Sequence, residues 1–578
     1  MKSLKSVLLS LVITTGLHAQ INNTFLTHFE KSNGTETATY QEVIQFYETL
    51  AKSFPEIHIE TVGQTDSGKP LHLITLNPDK DFNFSEIGED KRILLINNGI
   101  HPGESDGIDA TMMLFRDLAQ GKIKMPKHTV LTTIPIYNIG GSLNRNSSSR
   151  TNQNGPKDYG FRGNARNYDL NRDFIKSDTK NSKAFAEIFH KVNPDVFIDN
   201  HVSNGADYQY TLTHLFTQHN KLGGDLGNYL HTQMMPELEQ QLAAKNWDIT
   251  PYVNVFNQVP EIGFSQFIDH PRYSTGYTTL FNTLGMMVET HMLKPYKQRV
   301  EGTYELMISM IDLIEKDYKT IKVLRDQANR TFANTKTYPL NWVVDTTKSS
   351  TLQFKGFEGS YTTSKITGLK RLQYDRNKPF TKSVTYQNYF KSTTSINIPK
   401  AYIIPQGWYP IIALFELNQV KMKPLETDQT FLVEAYKIED FETSETPYEG
   451  HYLHKNTKIS SKTVSKTFRT GDIYIETNQP AIRYLLETLE PQAVDSFFNW
   501  NFFDSILQQK EHFSPYVWED LALELLNNNP ELKAEFEAKQ QTDSDFSKNW
   551  YAQLDWLHKH SKYYETTHLQ YPVYRLNH

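Results

Sequence analysis

Apolar positions in the first half of the chain alternate between two periods. Over residues 38–54 they recur every three to four positions, which predicts an amphipathic helix. Residues 57–62 and 71–76 read as strands, with Ser67-Gly68-Lys69-Pro70 as the turn between them. The run Ile93-Leu94-Leu95-Ile96 is continuously apolar, as expected of a central strand covered on both faces. A helix over 109–119, a strand over 130–136 and a helix over 180–192 follow. Val196-Phe197-Ile198 and Met286-Met287-Val288 read as further buried strands. A long helix from about Tyr296 to Thr331 closes this texture, which is that of an α/β domain with a mixed sheet.

From Tyr338 to Glu476 the period falls to two, as in Thr430-Phe431-Leu432-Val433-Glu434-Ala435-Tyr436, and turn residues intervene. This predicts a β-rich region that includes 399–417, where three prolines stand among apolar residues. Helical patterns return from Gln479. Ser514-Pro515 reads as a helix start, and Asn527-Asn528-Asn529-Pro530 as its end. The expected division is 1–19, 20–335, 336–477 and 478–578.

Composition narrows the chemistry. Net charge is −6, which argues against a nucleic-acid partner. There is no cysteine, so disulfides, thiolate metal ligands and Cys nucleophiles are excluded. Any metal site must use His, Asp and Glu. Met1-Lys2-Ser3-Leu4-Lys5 is basic, 7–15 is apolar but too short to span a bilayer, and Ala19 precedes a plausible cut. This predicts a signal peptide over 1–19 and a secreted or periplasmic protein with no transmembrane segment.

Chemistry concentrates where predicted strands end. After the run at 93–96 comes Asn97-Asn98-Gly99-Ile100-His101-Pro102-Gly103-Glu104. A His and a Glu with two residues between them on such a loop can turn toward one point and supply two zinc ligands. Alone, H-x-x-E is a weak signal. After the strand at 196–198, Asp199-Asn200-His201 offers a third ligand. A His, Glu, His set with an open fourth position is catalytic rather than structural. Between them, 161–174 is polar and rich in Arg, the side chain suited to bidentate carboxylate binding. The alternative for that stretch is a solvated, ion-paired loop. No G-x-G-x-x-G, P-loop or H-E-x-x-H occurs.

Taken in order, H-P-G-E, D-L-N-R, a strand-terminal His and a late V-E-T resemble the carboxypeptidase A-like zinc metallocarboxypeptidases (peptidase family M14), over roughly 40–318. The resemblance implies one zinc ion per chain on His101, Glu104 and His201. It implies Glu289 as general base, Arg162 as the group polarising the scissile carbonyl, and Asn171 and Arg172 as the pair holding the terminal carboxylate. Asp169 matches the carboxylate that orients the first zinc His. The implied substrate is a peptide with a free C-terminal carboxylate, bound without nucleic acid.

Several positions depart from the family pattern. Asp173 stands where Asn is usual, and its charge is expected near Arg172. The signature after the mobile capping Tyr is missing, which leaves Tyr273 and Tyr277, with Tyr277 slightly preferred. Arg272 is a further substrate cation in reserve, and His291 either supports the site or packs. Two other readings stay open: a zinc amidase or deacylase acting on N-acyl amino acids or cell-wall peptides, and a catalytically inactive binding protein for carbohydrate or peptide.

Overall fold

The computed structural model describes residues 25–332 and 335–577. The expected signal peptide at 1–19 lies outside the described residues.

The strands of the first half, in chain order, are β1 (Ile57–Gln64), β2 (Pro70–Leu76), β3 (Arg92–Asn97), β4 (Thr129–Ile134), β5 (Val196–Ser203), β6 (Leu212–Phe216), β7 (Ile249–Pro251), the short β8 (Phe264–Ser265) and β9 (Leu284–His291). All but β8 join one sheet, in the order β1-β2-β4-β3-β5-β9-β6-β7. Its centre, β4-β3-β5-β9, is parallel. Antiparallel pairings of β2 with β4 and of β6 with β9 make the sheet mixed.

The continuous apolar runs are explained by cover on both faces. Every residue of β3 and β5 is buried. Ile93 and Leu95 enter one apolar cluster, Leu94 and Ile96 another. Helices Tyr40–Ser53, Asp106–Ala119 and Tyr296–Thr331 cover one face. The first of them buries Val43, Tyr47 and Leu50 at helical spacing and starts at a Thr39/Glu42 capping box. Helix Lys180–Val192 lies on the opposite face.

This layout places the site. From β3 the chain crosses one face to β4, then crosses the other face to β5. The crevice at the carboxyl ends of β3 and β5 is therefore the point where strand order reverses, the usual ligand site of an open α/β sheet.

The second half is built from β10 (Thr337–Val344), β11 (Ser350–Thr363), β12 (Lys370–Gln387), β13 (Phe390–Asn397), β14 (Ala401–Ile404), β15 (Lys423–Pro424), β16 (Gln429–Thr443), β17 (His454–Phe468), β18 (Ile473–Glu476) and β19 (Gln570–Leu576). The β11–β12 hairpin pairs with β8 of the first half, and a six-stranded sheet runs β15-β18-β14-β19-β16-β17. Two expectations are corrected. The stretch 399–417 is strand only at β14 and then forms helix Tyr409–Leu417, with Pro410 in its first turn, where a missing N–H costs nothing. The C-terminal helices, including Pro515–Asn528, are followed by β19, which pairs with β14 and β16 at the heart of that sheet. The cluster beneath the central sheet runs without a break from Leu95, Phe197 and Phe189 to Phe415, Tyr484 and Trp500.

Candidate active site

His101 and Glu104 leave β3 on a turn closed by a hydrogen bond from the Glu104 N–H to the His101 carbonyl, 2.7 Å. His201 sits in β5, two residues past Asp199 and on the same face. All three side chains are buried. The Glu104 carboxylate lies between the rings, with Oε1 3.3 Å from His101 Nδ1 and Oε2 3.0 Å from His201 Nδ1. One ligand atom from each falls within 4.8 Å of the others.

The far nitrogen of each ring is anchored. His101 Nε2 is 2.9 Å from Asp169 Oδ1, and His201 Nε2 is 3.0 Å from Asp199 Oδ2. Such carboxylates fix the tautomer so that both Nδ1 atoms face the cluster, as metal-bound imidazoles require. His101 Nδ1 is buried and makes no hydrogen bond. A buried, unsatisfied ring nitrogen is costly, and a cation would satisfy it. The residues therefore fit a metal with His101, Glu104 and His201 as ligands.

Charges around the cluster are strongly perturbed. Burial opposes ionisation of Glu104, but Arg150 and His101 overcome it and hold the carboxyl well below its ordinary value. Burial also opposes the charge on His201, and Asp199 and Glu104 raise it well above the usual imidazole value. Asp169 is held low by His101, Arg162 and Arg172 despite its own burial.

Glu289 projects from β9 opposite His201, its register partner, and lines the same cleft. Loss of solvent is the chief cause that raises its carboxyl to about 7; His201 opposes the rise, and Glu104 and Asp199 add to it. The cleft holds about 540 Å³ and is also lined by Arg162, Asn171, Arg172 and Tyr273. Arg162 uses Nε and Nη2 on Asp169 Oδ2, at 3.0 and 2.8 Å, which leaves Nη1 toward Glu104, 3.7 Å away. Asn138 holds this loop against the exit of β3 by donating to the carbonyls of Ile100 and Arg162. Arg172 is stacked on Tyr273, its guanidinium carbon 4.6 Å from the ring centre. Asn171 Oδ1 accepts from the Ser274 N–H at 3.2 Å, tying the Arg-rich loop to the Tyr273 segment.

Three expectations need correction, and one open choice is decided. Tyr277, preferred as the capping residue, is 1% exposed and donates to Asn418 Oδ1 at 2.6 Å in the interior; Tyr273 lines the cleft instead. Asp173 does not face Arg172. It is fully buried and accepts from Lys176, Thr179 and Ser182 at the start of helix Lys180–Val192. Arg272 is committed to Asp495, 2.7 Å away, rather than free for substrate. His291 packs on Tyr208 and pairs with Asp207 at 3.2 Å.

Arg150 was not anticipated. It sits in no recognisable motif, yet its Nη1 lies 2.8 Å from Glu104 Oε1. Gly103 makes room for it: a Cβ there would stand 2.5 Å from Arg150 Cδ. Arg150 stands well before the D-L-N-R motif, with Arg162 and Arg166 between, and only coordinates tell it from them.

No family model matches the chain. Carboxypeptidase 2 of Trichophyton rubrum is 22% identical over 494 residues, covering 81% of this chain and 84% of that protein. Carboxypeptidase 2 of Trichophyton equinum has the same identity and coverage. Among solved structures, a metallo-carboxypeptidase from Burkholderia cenocepacia is 17% identical, covers 49% of this chain and 70% of its own, and has a TM-score of 0.37. Carboxypeptidase A from Helicoverpa armigera is 14% identical, covers 49% and 74%, and has a TM-score of 0.37. The resemblance to carboxypeptidases that the motifs carry is thus borne out by the curated relatives.

Proposed function

We propose that this chain is an exported, zinc-dependent metallocarboxypeptidase that releases the C-terminal residue of peptides bearing a free carboxylate. The observation that carries the reading is the meeting of His101, Glu104 and His201 with Glu289 and Arg172 in one cleft. The carboxypeptidase names of the relatives support it. Among the described residues, no helix is long and apolar enough to cross a membrane.

His101 Nδ1, His201 Nδ1 and the Glu104 carboxylate would hold the ion. When bound, zinc supplies Lewis acidity, which makes water a competent nucleophile near neutral pH. The rest falls to the chain. Arg172 and Asn171 fix the terminal carboxylate, a charge-assisted contact that places the last peptide bond over the cluster. Glu289, with a carboxyl raised to about 7, accepts the proton of the attacking water and passes it to the leaving amine. Arg162 donates Nη1–H to the carbonyl oxygen as negative charge grows there, a contribution of about 2.7–4 kcal/mol to the barrier. Tyr273 stacks on the Arg172 guanidinium and holds it in place.

The test is metal content together with hydrolysis of N-acyl dipeptides, with free or blocked C-termini, by wild type and Glu289→Gln. About one zinc per chain, cleavage of free acids only and loss of turnover in the variant are expected. Zinc without cleavage of either set would redirect the site to cell-wall peptides or N-acyl amino acids. Absence of zinc would favour a binding protein.

A further inference from the structure

We infer that the second half of the chain forms the back wall of the carboxylate pocket, with Asp495 and Glu449 as positioning residues for Arg172 and Tyr273. The inference rests on the carboxypeptidase reading and extends it to residues outside the resemblance.

Two segments carry the pocket, and each is gripped from behind. The first is the turn that begins at Asp169 and presents Asn171 and Arg172. Its leading N–H, that of Asp169, donates to Glu449 Oε2 at 2.8 Å. Asp169 in turn accepts from the Asn171 N–H at 2.9 Å, so Glu449 fixes the residue that shapes the turn. Gly450 follows at φ +82° and lies against Tyr168; a Cβ there would stand 2.5 Å from the phenol oxygen. His451 then pairs with Asp178 at 2.7 Å. The whole approach of 449–451 is shaped to the Arg-rich loop.

The second segment carries Tyr273. Asp495 Oδ1 accepts from Arg272 Nε at 2.8 Å, and Oδ2 accepts from the Arg272 N–H at 2.9 Å. Asp495 Oδ1 also takes the Trp500 Nε1–H at 3.1 Å, and Arg272 lies over the Trp500 ring at 5.1 Å. Burying a carboxylate is costly unless it is fully paired. Here both oxygens of a buried Asp are spent on the residue immediately before Tyr273. The two segments then lock together through the Tyr273–Arg172 stack and the Ser274–Asn171 hydrogen bond. Neither Glu449 nor Asp495 lines the cleft, so both act through their neighbours.

The test uses the full-length, metal-loaded protein as wild type, Asp495→Asn, Asp495→Glu and Glu449→Ala. KM and kcat are measured on an N-acyl dipeptide acid, and Kd by calorimetry for N-acetylphenylalanine and its methyl ester. Misplacing a binding group by a fraction of an ångström predicts a rise in KM of about tenfold for Asp495→Asn and Glu449→Ala, with kcat within about twofold for Asp495→Asn. The preference for acid over ester should shrink by a similar factor, and Asp495→Glu should recover part of it. A merely structural role would lower the melting temperature without touching that preference. Unchanged KM and unchanged acid preference in the folded variants would overturn the inference. Glu449→Ala, at a partly exposed site, carries the test if Asp495→Asn does not fold. A wild type that binds acid and ester alike would sink the carboxypeptidase reading, and this inference with it.

Discussion

At the scale of single residues, environment rather than residue type separates the roles. Glu104 and Glu289 are both carboxylates in one cleft, yet Arg150 and His101 hold one ionised while burial raises the other to about 7. The second is poised to take and return a proton. Glu289→Gln should lower kcat by about 10²–10⁴ with KM and metal content little changed, read from steady-state kinetics beside metal analysis. The base must be ionised, so kcat/KM of the wild type should fall as pH drops. A bound cation pulls the carboxyl down, which puts that acid limb at or below about 7. Gly103 gives a second prediction at this scale. Ala there would press on Arg150 Cδ at 2.5 Å and on the Gly160 carbonyl at 3.0 Å, loosening the guanidinium from Glu104. Metal affinity should weaken by about 10–100-fold, as for other partners of metal ligands, in competition with a chelator. Unchanged affinity would make Arg150 a bystander. The places of His101, Glu104, His201 and Glu289 were legible because the first two follow, and the last two end, strands whose burial writes a continuous apolar run. Tyr273 and Tyr277 differ by only one helical turn in sequence, and which of them faces the cleft is decided by packing against Asn418, far along the chain.

At the scale of elements, legibility followed periodicity. The strand Arg92–Asn97 and the helices Lys180–Val192 and Tyr296–Thr331 lie where the pattern puts them. Helix Tyr409–Leu417 was hidden by Pro405 and Pro410, since Pro near a helix start is as acceptable as Pro at a strand edge. Strand β19 was hidden by the helices before it, and its partners β14 and β16 are more than a hundred residues away. The segment between β8 and helix Ser274–Thr279 carries the clearest stability prediction. Asp269 is buried there, and burial raises its carboxyl to about 6, above the usual 3.9 of an unfolded chain. The folded state then binds the proton more tightly. The contribution of Asp269 to stability is greatest below about pH 4 and is lost as pH rises through about 6. The cost at pH 8 is about 2–3 kcal/mol. Asp269→Asn should therefore raise the melting temperature at pH 8 and leave it unchanged at pH 4. An equal gain at both pH values would assign the effect to packing rather than to charge.

At the scale of the whole molecule, the expected boundary near residue 335 marks a change of texture and not a gap between cores. Phe189 and Phe281, under the central sheet, pack in the same cluster as Tyr484 and Phe415. Polar links cross as well. Lys221 is 3.2 Å from Glu487 with both side chains buried, and Arg483 donates to the Lys221 carbonyl at 2.6 Å and to Asn282 Oδ1 at 3.1 Å. Tyr277 reaches Asn418 across the same divide. Cutting the chain at 335 would uncover Phe281 and Tyr277 and leave these apolar rings in water. Against a typical net stability of about 5–15 kcal/mol, that loss is decisive, because several large side chains would each forfeit about 1.5–3 kcal/mol. A fragment spanning 25–335 is expected to aggregate, or to keep far-UV ellipticity while losing its near-UV signal and binding a hydrophobic dye. The same fragment recovered as a soluble monomer, with wild-type metal affinity and wild-type KM for a dipeptide acid, would show that the first half stands alone. It would also remove the back wall from the carboxylate pocket, since Asp495 and Glu449 would then be dispensable.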